Sequence, residues 1–373
     1  MDDLKYWVSF TRIPSIGTVR MRLLENGFES LQTAWDASAS DLRAVGIEGS
    51  ALRQITERRP LIDPDSEMER MDKAGVRAFN WNHPEYPPAL KEIYDPPPVL
   101  YLKGAFAERD AHGVAVIGTR RATAYGREAC AALVKDLVAA GITIISGLAK
   151  GIDGIAHRTT LDAGGRTIAV MGSGIDVVYP ADHRALAQKI SETGVLMSEF
   201  PLGTKPDARN FPRRNRILSG LSLGVLIIEA PLDSGVMHTV RFALDQGRDV
   251  FCIPGSIFSP SSLGSNRLIQ DGAKLITDAA DVLEELNIAR LEQQPSFPGF
   301  GQIEDIEAEE AGLLQHIGVE PIHIDELRRQ AGMPVANVSS TLSLLEIKGL
   351  VKQVGAMHYV RVRETAASYQ PAN

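Results

Sequence analysis

The sequence predicts an α/β fold: an extended Rossmann-like, doubly wound parallel sheet, with a helical module before it and a winged helix after it. Seven short apolar runs recur in its middle: "VAVIG" (114–118), "ITIIS" (142–146), "TIAVM" (167–171), "VLMSE" (195–199), "VLIIE" (225–229), "DVFCI" (249–253) and "KLIT" (274–277). They are continuous rather than alternating, the pattern of strands buried on both faces. Helical stretches separate them, as in parallel sheets with right-handed crossovers.

Residues 1–60 read as short helices joined by two apolar-glycine turns, "RIPSIGTVRMRLLENG" and "LRAVGIEGSALRQI", a helix-hairpin-helix or SAM-like arrangement. Such turns direct backbone N–H groups at a phosphate in some nucleic-acid binders. Ser15 stands where the first glycine of that pattern is usual, which favours a packing or partner-docking module. The break "ERRPLIDPDSE" reads as a linker. The core follows over 65–286, extended at its start by a helix and a strand or two within 67–104. A spacer at 287–304 leads to the last module, 305–365, where three helices and a glycine-turned hairpin follow the order of a winged helix. On its third helix Val335, Val338, Leu342 and Leu345 share one face.

The 373 residues exceed one ordinary core and carry 39 Lys plus Arg against 47 Asp plus Glu. A net charge of −8 argues against indiscriminate nucleic-acid binding, which needs a broad positive footprint. Between 111 and 286 the two signs balance at 18 each, so any anion site there must be local. Only two cysteines occur, Cys130 and Cys252, which leaves no disulfide framework or CxxC metal site. No metal or cofactor is expected. The acidic start "MDDLKYW" and the lack of a long apolar segment predict a cytoplasmic protein without membrane contact.

Ligands of open parallel sheets sit beyond the carboxyl ends of the strands. There the sequence places Gly118, Thr119, Arg120, Arg121 and Thr123 after the first run. Ser146, Gly147 and Lys150 follow the second, and Gly172, Ser173 and Gly174 the third. Glycines admit close backbone approach, and the hydroxyl and cationic side chains donate to anions. Four arginines crowd into residues 209–216, within "ARNFPRRNR". Asn210 and Pro212 signal a helix start there. Ile217, Leu218 and Leu221 define its core face, which turns Arg214 into the crevice and sets Arg213 and Arg216 at the rim. Forked guanidiniums beside glycine loops match several phosphates in series, the alternative being that one or two of them pair with Glu199, Asp207 or Glu229. Phe211 offers a face for a base.

Neither GxGxxG nor GxxxxGK[ST] occurs. His157 follows Asp153 by one helical turn, read as a helix-stabilising pair rather than an acid–base dyad. "EAPLDSGVMHTV" (229–240) is faintly similar to the phosphate turn of nucleoside-monophosphate phosphoribohydrolases but lacks PGGxGT, so that enzyme class stands as the alternative. The third helix of the winged module exposes Asn337, Ser339, Ser340 and Ser343, and 300–373 holds 6 basic against 10 acidic residues. Duplex affinity comes largely from cations, so protein docking or support of a dimer is the expectation.

"VAVIGTRRATAYG", "SGLAKGIDGIAH", "TIAVMGSGIDVVYP", "SEFPLGTKP", "NFPRRNRILSGLS" and "PGSIFSPSSLGSNRLIQDGA" together resemble the bacterial DNA-processing DprA (Smf) family, over about 80–286 in unbroken order. The resemblance implies a homodimeric, non-enzymatic single-stranded DNA-binding protein that helps load the RecA recombinase onto DNA during natural transformation. By motif it assigns Gly118, Thr119, Arg120 and Lys150 to DNA, joined by Asn210, Phe211, Arg213, Arg214, Asn215 and Arg216. For the dimer it points to Ile257, Leu268 and Ile269. Pro231 and His238 depart from the family pattern.

Overall fold

A computed structural model describes residues 3–288, 308–318, 322–348, 350–353 and 357–361. They fall into two compact units, within 1–293 and 294–373.

In the first unit, short helices α1 (Leu4–Thr11), α2 (Thr18–Gly27), α3 (Leu31–Asp36), α4 (Ala39–Ala44) and α5 (Gly49–Arg58) precede α6 (Pro64–Lys73). The sheet and its connections are then β1 (Arg77–Asn80), α7 (Pro88–Lys91), β2 (Val99–Gly104), β3 (Gly113–Ile117), α8 (Ala124–Ala139), β4 (Thr143–Ser146), α9 (Ile152–Asp162) and β5 (Thr167–Met171). They continue through α10 (Arg184–Thr193), β6 (Val195–Ser198), α11 (Asn210–Gly220), β7 (Gly224–Ile227), α12 (Val236–Asp245), β8 (Asp249–Cys252), α13 (Leu263–Gln270), β9 (Lys274–Leu275) and α14 (Ala279–Glu285). The sheet order is β1-β2-β6-β5-β4-β3-β7-β8-β9. From β6 to β9 every neighbour is parallel, while β1 and β2 add an antiparallel edge. The seven apolar runs are thus the seven parallel strands, and β3, β4, β5, β6 and β7 are buried along their whole length.

The chain winds from β3 through β4 and β5 to β6 on one side, then returns to place β7 against β3. Connections leave β3 and β7 in opposite directions, which opens a crevice between their carboxyl ends. The N-terminal helices share a hydrophobic core with this sheet: Trp7, Phe10, Trp35 and Met21 belong to the same buried cluster as Tyr101, Leu196 and Ile217. Trp7 packs edge-on against Trp81 with centroids 5.2 Å apart, and Thr11 Oγ1 lies 2.6 Å from the Tyr101 hydroxyl.

The second unit comprises α15 (Ala308–Leu314), β10 (Ile322–His323), α16 (Ile324–Ala331), α17 (Val335–Ile347), β11 (Val351–Gln353) and β12 (His358–Arg361). Its strands pair in the order β10-β12-β11. Val338, Leu342 and Leu345 on α17 are buried with Leu313, Leu327 and Val351, as the periodicity predicts. The side chain of Val335, residues 289–304 of the spacer and the glycine turn of the hairpin lie outside the described residues. No described helix is long and apolar enough to cross a membrane.

The predicted Asp153–His157 pair does not form. Asp153 Oδ2 accepts from Gly147 N at 3.1 Å and Ala149 N at 3.3 Å, fastening the loop after β4 to the first turn of α9. His157 Nδ1 instead lies 2.7 Å from Thr167 Oγ1 on β5. Helical spacing brings the two residues to one face, but nearer hydrogen-bond partners take each. Burial, with Arg214 and Arg158 as neighbouring positive charges, holds the His157 imidazole down to about 3. The folded state therefore stays neutral there while the unfolded chain takes up a proton, so this stability is complete above about pH 6.5 and drains as pH falls towards 3. Each pH unit between those two values costs roughly 1.4 kcal/mol. Urea unfolding at about pH 7 and about pH 5 should show the loss, and His157→Gln should flatten it.

Candidate nucleic-acid interface

A cleft of about 620 Å³ opens at the carboxyl edge of the sheet, at the crevice between β3 and β7. Its floor is Ile117, Gly118 and Thr119; Ala149 and Asp153 come from the loop after β4 and the start of α9. Phe211, Arg214, Asn215 and Leu218 on α11 form one wall, and Ser234, His238 and Thr239 at the start of α12 the other. Arg120 and Tyr179 stand at its mouth, both exposed.

The floor is built by backbone. Thr119 N donates to the Glu229 carbonyl at 2.7 Å, joining the loops after β3 and β7, and Ile152 N donates to the Thr119 carbonyl at 3.2 Å. Gly151 sits at φ 78°, where a Cβ would run into the carbonyl of Thr119 and the backbone of Arg120. Only glycine permits that crossing. The buried Glu229 carboxylate accepts from Thr123 N at 2.9 Å and Thr123 Oγ1 at 2.8 Å, while Thr123 Oγ1 accepts from Gly126 N at 3.1 Å to cap α8.

Arg214 is the centre of the site. Its side chain leaves the first turn of α11, as the helical phase predicts, and lies over Gly147, whose missing Cβ makes the room. The residue is 3% exposed. Nη1 donates to the Val170 carbonyl, Nε has no hydrogen-bond partner, and no carboxylate of the described residues lies within 4 Å. Burial lowers the guanidinium to about 10, with Asp153 opposing that shift and Arg120 adding to it. Burial in turn raises the Asp153 carboxyl against the pull of Arg214. A cation held this dry without an ion pair is costly. An anion in the cleft would offset that cost.

Around it, the Arg120 guanidinium stands 5.3 Å from the Phe211 ring centroid, and the Tyr179 ring lies 5.7 Å from that of Phe211. This is a cation–aromatic–aromatic surface beside a buried cation. Lys150 follows the cleft-lining Ala149, its side chain 59% exposed with Nζ 2.8 Å from Asp182 Oδ2, a surface pair weak enough to exchange for a phosphate. Arg121 is exposed, with its N–H on Thr119 Oγ1 at 3.1 Å. Arg213 is exposed but is not among the cleft-lining residues: its guanidinium stands 5.6 Å from the Phe200 ring centroid and 3.1 Å from Glu199. Asn210 opens α11, half-buried.

Four expectations are corrected. Arg216 is not at the rim: it is 3% exposed and forms a two-pronged pair with Glu199 at 2.7 and 2.9 Å, with Asp95 at 3.2 Å. The helical phase does turn it from the sheet, but the segment carrying α7 covers that second face, and Gly220 lies against Leu90 and Ile93. Thr123 spends its hydroxyl on Glu229 and its own helix. Ser146 Oγ donates to the Val116 carbonyl at 2.7 Å, and Ser173 Oγ to the Val177 carbonyl at 2.6 Å. Both hydroxyls are buried. The third glycine loop is consequently a backing layer: Gly172 lies under the Phe211 ring, and Gly174 N donates to the Thr204 carbonyl at 2.9 Å.

Sequence reasoning missed Tyr179, Ser234, His238 and Thr239. For the last three the signal was present in "DSGVMHTV", whose glycine and hydroxyls resemble a phosphate turn. Ile257 is 72% exposed beside Phe258 at 89%, whereas Leu268 and Ile269 are half-buried against the core.

The described geometry has counterparts. Residues 77–287 match the family model for DNA recombination-mediator protein A, and 301–357 match the DprA winged helix domain. Protein Smf from Synechocystis sp. is 34% identical over 95% of this chain and 98% of its own. The X-ray structure of DNA processing protein A from Streptococcus pneumoniae is 35% identical, with a TM-score of 0.67 over 75% of this chain and 97% of that one. A Helicobacter pylori DNA processing protein A, whose structure concerns its single-stranded DNA binding mode, is 30% identical, with a TM-score of 0.52 over 57% of this chain and 96% of that one. With both family models matched in order and relatives similar along nearly the whole sequence, the chain belongs to the DprA (Smf) family of DNA recombination mediators.

Proposed function

We propose that this protein is a single-stranded DNA-binding recombination mediator whose cleft between β3 and β7 takes a run of sugar-phosphates. It protects incoming single strands and loads the RecA recombinase onto them in natural transformation, acting in the cytoplasm as a homodimer without a catalytic step or cofactor. The observation that carries the reading is Arg214, a 3%-exposed cation lining the cleft with an unpartnered Nε and no carboxylate within reach among the described residues. Phe211 and Tyr179 beside it supply ring faces that single strands, with bases free to stack, can use and duplexes cannot. The relationship to a protein studied for its single-stranded DNA binding mode supports the same reading. Exposed Ile257 and Phe258 supply an apolar patch suited to a second copy of the chain.

Binding to a mononucleotide, to a single strand of about twenty nucleotides and to the corresponding duplex separates the classes. The mediator reading expects the single strand to win by tenfold or more, about 1.4 kcal/mol. A nucleoside-monophosphate enzyme would turn over the mononucleotide and show little preference for length. Equal affinity for single strand and duplex would contradict the proposal.

A further inference from the structure

The loop that leads from β6 into α11 lacks regular structure, yet Pro206 and Ala208 on it line the cleft. Its backbone is held at three points. Gly203 N donates to both oxygens of Asp176 at 2.8 and 3.0 Å, and the Thr204 carbonyl accepts from Gly174 N at 2.9 Å. Those two ties come from the neighbouring loop of the sheet. The third does not: the Leu202 carbonyl accepts from Arg12 Nη1 at 2.6 Å and Arg70 Nη2 at 3.5 Å, both from the N-terminal helical layer.

One carboxylate organises the two arginines. Glu67, 9% exposed, lies 2.8 Å from Arg70 Nη1 and 3.5 Å from Arg12 Nε. A carboxylate so buried must stay paired, so the three side chains behave as one unit. The layer cannot drift with the loop, because the Thr11–Tyr101 hydrogen bond and the Trp7–Trp81 contact fix α1 to the sheet edge. Downstream of Leu202 the loop passes into Phe211 and Arg214 with no other helix between.

We infer that the N-terminal helical layer is a positioning element of the DNA cleft, setting the wall that carries Phe211 and Arg214 through the Arg12–Glu67–Arg70 unit and the Leu202 carbonyl. The inference rests on the single-stranded DNA reading of the cleft. Arg12 and Arg70 are positioning residues, and nothing in their placement requires contact with DNA.

The test uses the full chain with Arg12→Met and Arg70→Met together, well below its unfolding temperature. Affinity for a single strand of about twenty nucleotides should fall about fivefold or more, the lower end of coupling between sites. The slope of affinity against salt should stay unchanged, because no phosphate contact is removed. Amide exchange should quicken in residues 199–209 and not in β3, β4 or β5. Arg12→Lys, which keeps a cation on Glu67, should restore most of the affinity. Should the double variant lose its fold, Arg12→Gln, which leaves Glu67 paired with Arg70, is read in the same way. Affinity within twofold of the parent, or exchange in 199–209 no faster than before, overturns the inference. A parent protein that binds no strand at all overturns the reading of the cleft instead, and the exchange result then decides the brace on its own.

Discussion

Arg216→Met is expected to destabilise the protein by about 3–5 kcal/mol, the usual result of leaving one member of a buried ion pair without its partner. Glu199, 6% exposed, would keep only Arg213, whose side chain is 46% exposed, and Asp95 would lose its cation as well. Chemical denaturation at neutral pH measures this directly. The same variant, assayed while folded, should retain most of its affinity for single strands, since the guanidinium does not line the cleft. A large loss of binding with unchanged stability would return Arg216 to the interface.

Arg214→Met carries the opposite expectation. Removing a buried cation that has no ion pair among the described residues should leave stability within about 1 kcal/mol of the parent or raise it. Binding of a single strand should fall by tenfold or more, about 1.4 kcal/mol, because the charge sits where the phosphates are proposed to pass. Denaturation and binding measured on the one sample decide both halves. Two arginines two positions apart on one helix are thus assigned separate tasks, Arg216 holding the fold together and Arg214 costing it stability for the sake of a ligand.

That division shows where the sequence was legible. Strands β3 to β7 could be read because strands buried on both faces must be apolar throughout, a local property of each run, whereas both residues of β9 are exposed at the sheet edge. The glycine turns could be read because close backbone crossings admit nothing else, as at Gly151. Arg214 could be read because a helix start fixes its phase. Arg216 could not be placed by helical phase: Glu199 was legible as a possible partner of the cluster, but the burial of Arg216 also depends on the segment carrying Asp95, 121 residues away in the chain and invisible to a helical wheel. The hydroxyls of Thr123, Ser146 and Ser173 misled for a related reason. Each sits in a loop of suitable composition, but backbone carbonyls or Glu229 reach it first. Asp153 was tied to His157 by spacing alone, whereas its work is to hold the loop after β4 under Arg214. The start of α12 departs from the family pattern at Pro231 and His238, yet Ser234, His238 and Thr239 line the cleft.

The cleft requires that its cations act on phosphates in series, and salt tests this most directly. Equilibrium binding of a labelled single strand of about twenty nucleotides should be followed across salt for the parent and for the combined Arg120→Ala, Lys150→Ala, Arg214→Met variant. Each phosphate neutralised on a single strand contributes about 0.7 to the slope of log affinity against log salt. Loss of three cations should therefore flatten that slope by about two and weaken binding at every salt concentration. A variant that stays folded and keeps the parent's slope and affinity would show that the strand binds elsewhere.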